Sequence, residues 1–489
     1  MKSKLVVMLS IALFATSCSD YLDKLPENKV EKGEIDFTKV EDMHLPVSGV
    51  YAQARSGQGF SFWGALGLIS VRSDNVDKGS APNDQLEFQH CANFKYDNIR
   101  SYWALNNTWK GFYKLVEVSN SALASLDQYA EYITKESDQK LYEQYTAEVR
   151  FMRAYAFFFA TRLWGDIPLM LDNQVLNPER EPRADVYKFI DDEMEYCISK
   201  LPALCPNEMD FIGSVTQYTA WALRAKAAAD VNDWDTVLKA TNAIISSTKF
   251  ELYDDFYEMY KKPGKLCNES LFELQYTDFG QGVGDIIRSD AWFAFQGPRT
   301  AIKGYNGIPI NSGWGFMVPT QALNDLMVAR GEDVRYKTTI MKTDAVTPSK
   351  DTLVAGLPGE PTMYNGKAYL PASQLTPGRQ DYGDGNNIRM IRYADILLLN
   401  AEAKVRKGES GDSSFNLVRE RAGMTPVTGV TLEQILEERR VELAMEWGER
   451  FFDLVRTGKA AEKLQGFVEG QHEFYPIPQE QLDLNPNLK

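Results

Sequence analysis

The sequence predicts a mainly α fold, with helical blocks on either side of a loop-rich stretch. Three observations predict it. Apolar residues recur at steps of three and four between Thr108 and Ser246. Glycine and proline then cluster between residues 262 and 387. Helical spacing returns from Ile388 onward.

The chain opens on a leader. Lys2 and Lys4 precede an apolar run from Leu5 to Ala15, and Thr16-Ser17-Cys18 follows. A basic start, a short apolar core and small residues before a cysteine make a secretory leader (1–17), with Cys18 as the expected lipid attachment site. Residues 18–35 are polar and read as a tether. Within region 36–261, Thr108–Leu126 is predicted as an amphipathic helix with Trp109, Phe112, Leu115 and Val116 inward. Tyr142–Trp164 carries Val149, Met152, Ala156, Phe159 and Leu163 on one stripe and Phe151, Tyr155 and Phe158 on a second. A helix apolar on two faces belongs between neighbours. Val186–Leu201 follows, then the pair Val215–Val231 and Trp234–Ser246. The first of the pair is rich in alanine, which lets another helix approach closely, and a tryptophan opens the second. This combination resembles tetratricopeptide packing, in a degenerate form.

Region 262–387 has short strand-like runs such as Leu271–Gln275 among turns like Gly313-Trp314-Gly315. Loop-rich segments of this length are often functional. In region 388–489, Ile388–Arg406 and Leu432–Leu454 read as helices, and Tyr475-Pro476-Ile477-Pro478 as extended chain.

Composition narrows the function. The 489 residues carry a formal charge of −15, which argues against nucleic acid and favours a neutral ligand over an anionic one. Aromatic residues make up 12%, which excludes a disordered chain. Cys91, Cys197, Cys205 and Cys267 remain beyond the leader, and three disulfide pairings or free thiols stay open. Only His44, His90 and His472 are present, and the motifs HExxH, GxSxG and GxxxxGK[ST] are absent. No cofactor is implied. The Asp74–Asp84 loop fails the EF-hand pattern, since Val76, Lys78 and Gln85 stand where ligands belong, so a structural calcium ion there remains an alternative to a hydrogen-bonding turn.

Paired carboxylates are the enzymatic alternative. Glycoside hydrolysis needs two, and Asp74 with Asp77 would be the candidates for a surface hydrolase. Glu437, Glu438, Glu442 and Glu446 interleave with Arg439, Arg440 and Arg450, and read instead as an ion network bracing two helices.

Five stretches together carry a family pattern: Cys18-Ser19-Asp20-Tyr21-Leu22-Asp23; Glu148-Val149-Arg150-Phe151-Met152-Arg153-Ala154-Tyr155 with Leu163-Trp164-Gly165-Asp166-Ile167-Pro168; Ile391-Arg392-Tyr393-Ala394-Asp395 through Ala403; Glu438-Arg439-Arg440-Val441-Glu442-Leu443-Ala444 through Arg456; and Tyr475-Pro476-Ile477-Pro478. In this order they resemble the SusD/RagB family of outer-surface glycan-binding lipoproteins of Bacteroidetes. Trp447, Val455 and Thr457 depart from the pattern in packing positions. The resemblance implies a tetratricopeptide-like helical scaffold with a loop-rich, irregular half packed against it. It implies a non-catalytic binder of oligosaccharide or polysaccharide, anchored by lipid to the outer membrane. Its partner would be a SusC-like TonB-dependent outer-membrane barrel, which it covers as a lid. A peptide-binding or scaffold subunit of such an uptake complex is the other alternative.

The family motifs lie in scaffold, so candidates for the ligand site come from chemistry. Sugars need flat apolar rings for their C–H faces and polar groups for their hydroxyls. Trp63, Trp292, Tyr305 and Trp314 are the candidate rings, and Asp74, Asn75, Asp77, Lys78 and Arg299 the candidate hydrogen-bonding groups. Trp109, Trp164, Trp221 and Trp234 read as core.

Overall fold

The computed structural model describes residues 35–277, 288–299, 302–310, 312–354, 356, 358–375 and 385–489. The leader and Cys18 lie outside these residues. The fold is mainly helical. Helices α1 (His44–Ala54), α2 (Trp63–Ser70) and α3 (Leu86–Ala92) precede two long helices, α4 (Trp103–Ala130) and α5 (Glu136–Trp164). Then α6 (Arg183–Lys200), α7 (Gln217–Asp230) and α8 (Trp234–Ser246) follow, each packed against the helix before it.

The inward residues expected on α4 and both stripes of α5 are buried. The α5 core includes Phe151, Phe157 and Phe158, all fully enclosed. Gly165, at φ +75°, ends this helix with its Cα against the Phe474 ring. On α7, Thr216 caps the helix by accepting from the Thr219 N–H, and Ala220, Ala222 and Ala225 are fully buried.

The expected helix from Ile388 begins as a strand. Ile388–Arg392 forms an antiparallel pair with Ser270–Leu274, and α9 (Tyr393–Arg406) starts only after it. A short apolar run is ambiguous between strand and helix, and here all five residues are buried on both faces. The α9 helix packs on α8, on α10 (Asp412–Arg421) and on α11 (Leu432–Glu442). The helix expected over Leu432–Leu454 is broken after Glu442. It resumes as α12 (Glu449–Arg456). Gly448 has φ +66°, and a Cβ there would lie 2.5 Å from the Ile69 carbonyl oxygen, so the chain must turn at this glycine.

An ion network holds the last helices to the middle of the chain. Glu442 accepts from Arg392, Arg421 and Arg335 at 3.0, 2.6 and 3.3 Å. Glu446 accepts from Lys367 at 2.7 Å, and from Arg392 at 2.7 and 2.9 Å. The network therefore ties α11 to a strand and to the loop-rich region, and is not confined to two helices. All four cysteines in the described residues are free thiols. Cys197 donates to the Ala147 carbonyl and Cys205 to that of Lys249, so the Cys197–Cys205 pairing is not made. Among the described residues no helix is long and apolar enough to cross a membrane.

Candidate functional site

Three tryptophans meet at the surface where the helical part touches the loop-rich part. Trp63 opens α2, Trp103 opens α4, and Trp314 lies between two glycines of the loop-rich region. The Trp63 ring centroid stands 5.1 Å from Trp103 and 5.5 Å from Trp314, edge to face in both cases. Trp103 and Trp314 are each 39% exposed, and Trp63 is half-buried between them. Rings this large are rarely left open to water without use, and a contiguous group of them marks a binding surface.

Local sequence explains why the rings are held there. The Trp314 N–H donates to the Ala294 carbonyl at 2.6 Å, the Gly313 N–H to Pro298 at 2.6 Å and the Gly315 N–H to Gly297 at 2.8 Å. Gly313 lies so close to Gly297 that a Cβ would stand 2.5 Å from its backbone, and Gly315 has φ +75°. Only glycines fit either side of Trp314. Beneath the platform, Phe295 packs on Trp63 at 4.8 Å and stacks on Phe316 at 4.9 Å. Gly67 of α2 leaves room for the Phe88 ring in the same layer.

A polar rim follows the rings. The Gln85 side-chain carbonyl accepts from the Trp103 indole N–H at 3.2 Å and the Tyr102 hydroxyl at 2.7 Å. Next to it, Asp84 accepts from the Ser80 hydroxyl at 2.8 Å, and Arg299 donates to that same hydroxyl oxygen at 2.8 Å. Arg299 also stands 3.7 Å from Asp84 and 3.5 Å from Glu360, with its stem against Gly315. The rim's one guanidinium is thus balanced by two carboxylates.

The structure brings Trp63, Trp314 and Arg299 together. The other expected residues stand elsewhere. Trp292 is 7% exposed, within the helix Arg288–Gln296 and packed on Phe293 and Trp447, so it is a core ring and not a loop aromatic. Asn75 is buried, accepting from Arg440 and donating to its carbonyl. Asp74 is held by Arg450 at 2.8 and 3.0 Å and by Arg440 at 3.1 Å. Lys78 is buried and donates to the carbonyls of Ala81 and Asp84, which supports the rim loop from inside. Burial holds its ammonium below the usual lysine range. These three side chains make their hydrogen bonds within the fold. Asp77 is exposed on the strand Val76–Gly79. Tyr305 is 43% exposed under the Lys350 ammonium, with no ring contact to the three tryptophans among the described residues.

Trp103 escaped the sequence reading, which began its helix at Thr108. The signal was present: Trp103 is in register with Asn107, Lys110 and Lys114, the polar face of the same helix. A tryptophan on a solvated stripe is the anomaly that marks it. As expected, Trp109 and Trp164 are buried, whereas Trp221 and Trp234 are half-buried.

Asp74 and Glu442 are placed for structure and not for hydrolysis. A glycosidase needs an acid whose proton is retained near neutral pH. Burial acts on Asp74 in that direction, but the Arg450 hydrogen bonds and the charges of Arg450 and Arg440 outweigh it and hold the carboxyl below its usual range. Arginine charges do the same to Glu442. Two guanidinium groups at Asp74 also oppose a calcium ion in that loop. Among the described residues no three His, Cys, Asp or Glu side chains converge as metal ligands.

Residues 20–229 match a family model described as starch-binding associating with outer membrane, and residues 363–474 match that of the SusD family. A SusD-like protein of Bacteroides ovatus is 26% identical over 93% of this chain and 82% of its own length. Among solved structures, a laminarin binding SusD-like protein superposes with a TM-score of 0.75, at 26% identity, over 92% of this chain and 97% of its own. Surface glycan-binding protein A from Bacteroides thetaiotaomicron, in complex with laminarihexaose, gives a TM-score of 0.73 at 24% identity, over 91% and 97%. The chain belongs to the SusD family of non-catalytic, glycan-binding proteins that associate with the outer membrane.

Proposed function

We propose that the chain captures a neutral oligosaccharide or polysaccharide on the Trp63–Trp103–Trp314 platform and releases it uncleaved to a SusC-like TonB-dependent barrel, which it covers as a lid. Lipid on Cys18 is the proposed anchor. One observation carries the reading: three tryptophans, two of them well exposed, share a surface with a rim of side chains able to bond hydroxyls. The rings offer apolar area to the C–H faces of sugars, and Arg299, Asp84 and Gln85 offer donors and acceptors to their edges. Because Arg299 is already balanced by Asp84 and Glu360, the rim has no spare positive charge for an anionic sugar. The laminarin-binding and laminarihexaose-bound relatives support a glucan as first probe. Titration with laminarin, starch, xylan and mannan tests the binding, and chromatography of the mixtures tests the lack of turnover. Saturable binding of at least one polysaccharide with no new shorter products is expected. Accumulating fragments, or no binding by any of the four, would contradict the proposal.

A further inference from the structure

The platform is continued by a groove along α4. Phe62, whose ring stands 6.0 Å from Trp103 and 5.8 Å from Trp63, lines it together with Asn107. The groove has a volume of about 820 Å³ beside α4. Trp103, Asn107, Lys110, Lys114 and Glu117 are exposed positions of this helix, at steps of four, three, four and three. They form one stripe, about 21 Å long at 1.5 Å per residue. Gly111 sits beneath Gln58, whose carbonyl oxygen would be 2.2 Å from an added Cβ, so the loop at Gln58 lies directly on the helix and closes one side. Across the groove stand Met170, Asn173 and Asn177 of one loop, with Gln481 and Asn485 at the C-terminus.

These walls are built and braced. Asn120 donates to the Met170 carbonyl and to the Asn173 side chain, both at 3.0 Å, and Gln481 donates to Asn106 at 2.9 Å. The charges along the stripe are balanced: Lys114 pairs with Glu117 at 2.7 Å and Lys110 with Glu480 at 3.5 Å. The groove thus offers amides and neutralised charges above the stacked rings of Trp109 and Tyr113. Such a lining, apolar rings set among amides and neutralised charges, suits a hydroxyl-rich neutral chain and lacks the net charge that selects an ion.

We infer that this groove is an extension site for the same glycan, so that the preferred ligand is a polymer whose chain leaves the platform past Phe62 and continues along α4. The inference rests on the platform reading of the proposed function. Its distinguishing feature is dependence on chain length, because a short fragment fills the platform alone.

The test compares laminaritriose, laminarihexaose and laminarin, and in parallel maltotriose, maltohexaose and starch, by calorimetry. Wild type, Asn107→Ala/Lys114→Ala and Trp314→Ala are measured, with melting temperatures as a check on folding. Both residues of the double variant are exposed, and neither packs in the core. Affinity of the wild type is expected to rise at least tenfold from trisaccharide to polymer in the series that binds. The double variant should lose about fivefold or more for polymer and nothing for trisaccharide, while Trp314→Ala weakens every length. Equal affinity for all lengths, or wild-type polymer affinity in the double variant, would overturn the extension site and leave the platform standing. Binding untouched by Trp314→Ala, or absent for both series, would overturn the platform reading and this inference with it.

Discussion

Trp63 and Trp314 meet edge to face with their ring centroids 5.5 Å apart, although 251 positions separate them in the chain. One opens a helix of the scaffold, and the other is presented by a glycine-flanked turn of the loop-rich region. The contact defines the platform, so the binding surface exists only when both parts of the chain have folded together. A site assembled this way can vary through its loop while the scaffold stays unchanged.

Exposure separates two tryptophans that look alike in sequence. Trp314→Ala removes a ring already 39% exposed and should leave the melting temperature nearly unchanged. It should weaken glycan binding by tenfold or more, about 1.4 kcal/mol. Trp292→Ala removes a buried ring and should cost about 3–5 kcal/mol of stability. Denaturant unfolding and calorimetry on both variants check the contrast. Equal stability losses would contradict it.

Asp74→Ala should act on stability and not on affinity. It leaves Arg440 and Arg450 without their shared carboxylate, at a cost of about 3 kcal/mol. Glycan affinity of the folded fraction should stay within twofold of wild type. A selective loss of binding at unchanged stability would return Asp74 to the ligand site.

Glu442 and Glu148 should respond to pH with opposite signs. Burial acts to raise the Glu442 carboxyl, but the charges of Arg421, Arg392 and Arg335 hold it well below 4.5. Its stabilisation is therefore full above that value and is lost as pH falls through the depressed range. Glu442→Gln should cost more than about 3 kcal/mol at pH 7, with the difference from wild type shrinking in acid. A difference independent of pH would contradict the assignment.

Burial instead pushes Glu148 up to about 7, although Gln144, Tyr51 and Ser214 hydrogen-bond to it. Between its ordinary 4.5 and about 7 the folded chain holds a proton that the unfolded chain has lost, so stability falls as pH rises through this window. Glu148→Gln cannot ionise. Its stability relative to wild type should increase from pH 4.5 to pH 8, by up to about 3 kcal/mol. Melting curves at both ends of the range check this, and an unchanged difference would count against it.

Much of the helical architecture was legible because its signals are local. Trp234–Ser246 has the same bounds in the structure as in the sequence reading, since Asp233 caps it and the apolar spacing starts at once. Ile388–Arg392 was misread because five residues are too few to show a period, and its strand partner lies more than a hundred positions away. The break before Glu449 depends on the close approach of Gly448 to Ile69, which no local pattern records. The site was legible only in part for the same reason. Trp63, Trp314 and Arg299 were found from ring type, charge and loop context. Trp292 carries the same context but is buried by Trp447, and Asp74 and Asn75 meet arginines more than 360 positions away. Tertiary partners decide which polar groups remain free, and the sequence does not display them.

The most direct test of the account is the affinity of a Trp63→Ala/Trp103→Ala/Trp314→Ala variant for the best-bound polysaccharide, measured by calorimetry on protein shown to be folded by its circular dichroism. A loss of at least a hundredfold, to undetectable binding, is expected. Retention of wild-type affinity in the folded triple variant would contradict it.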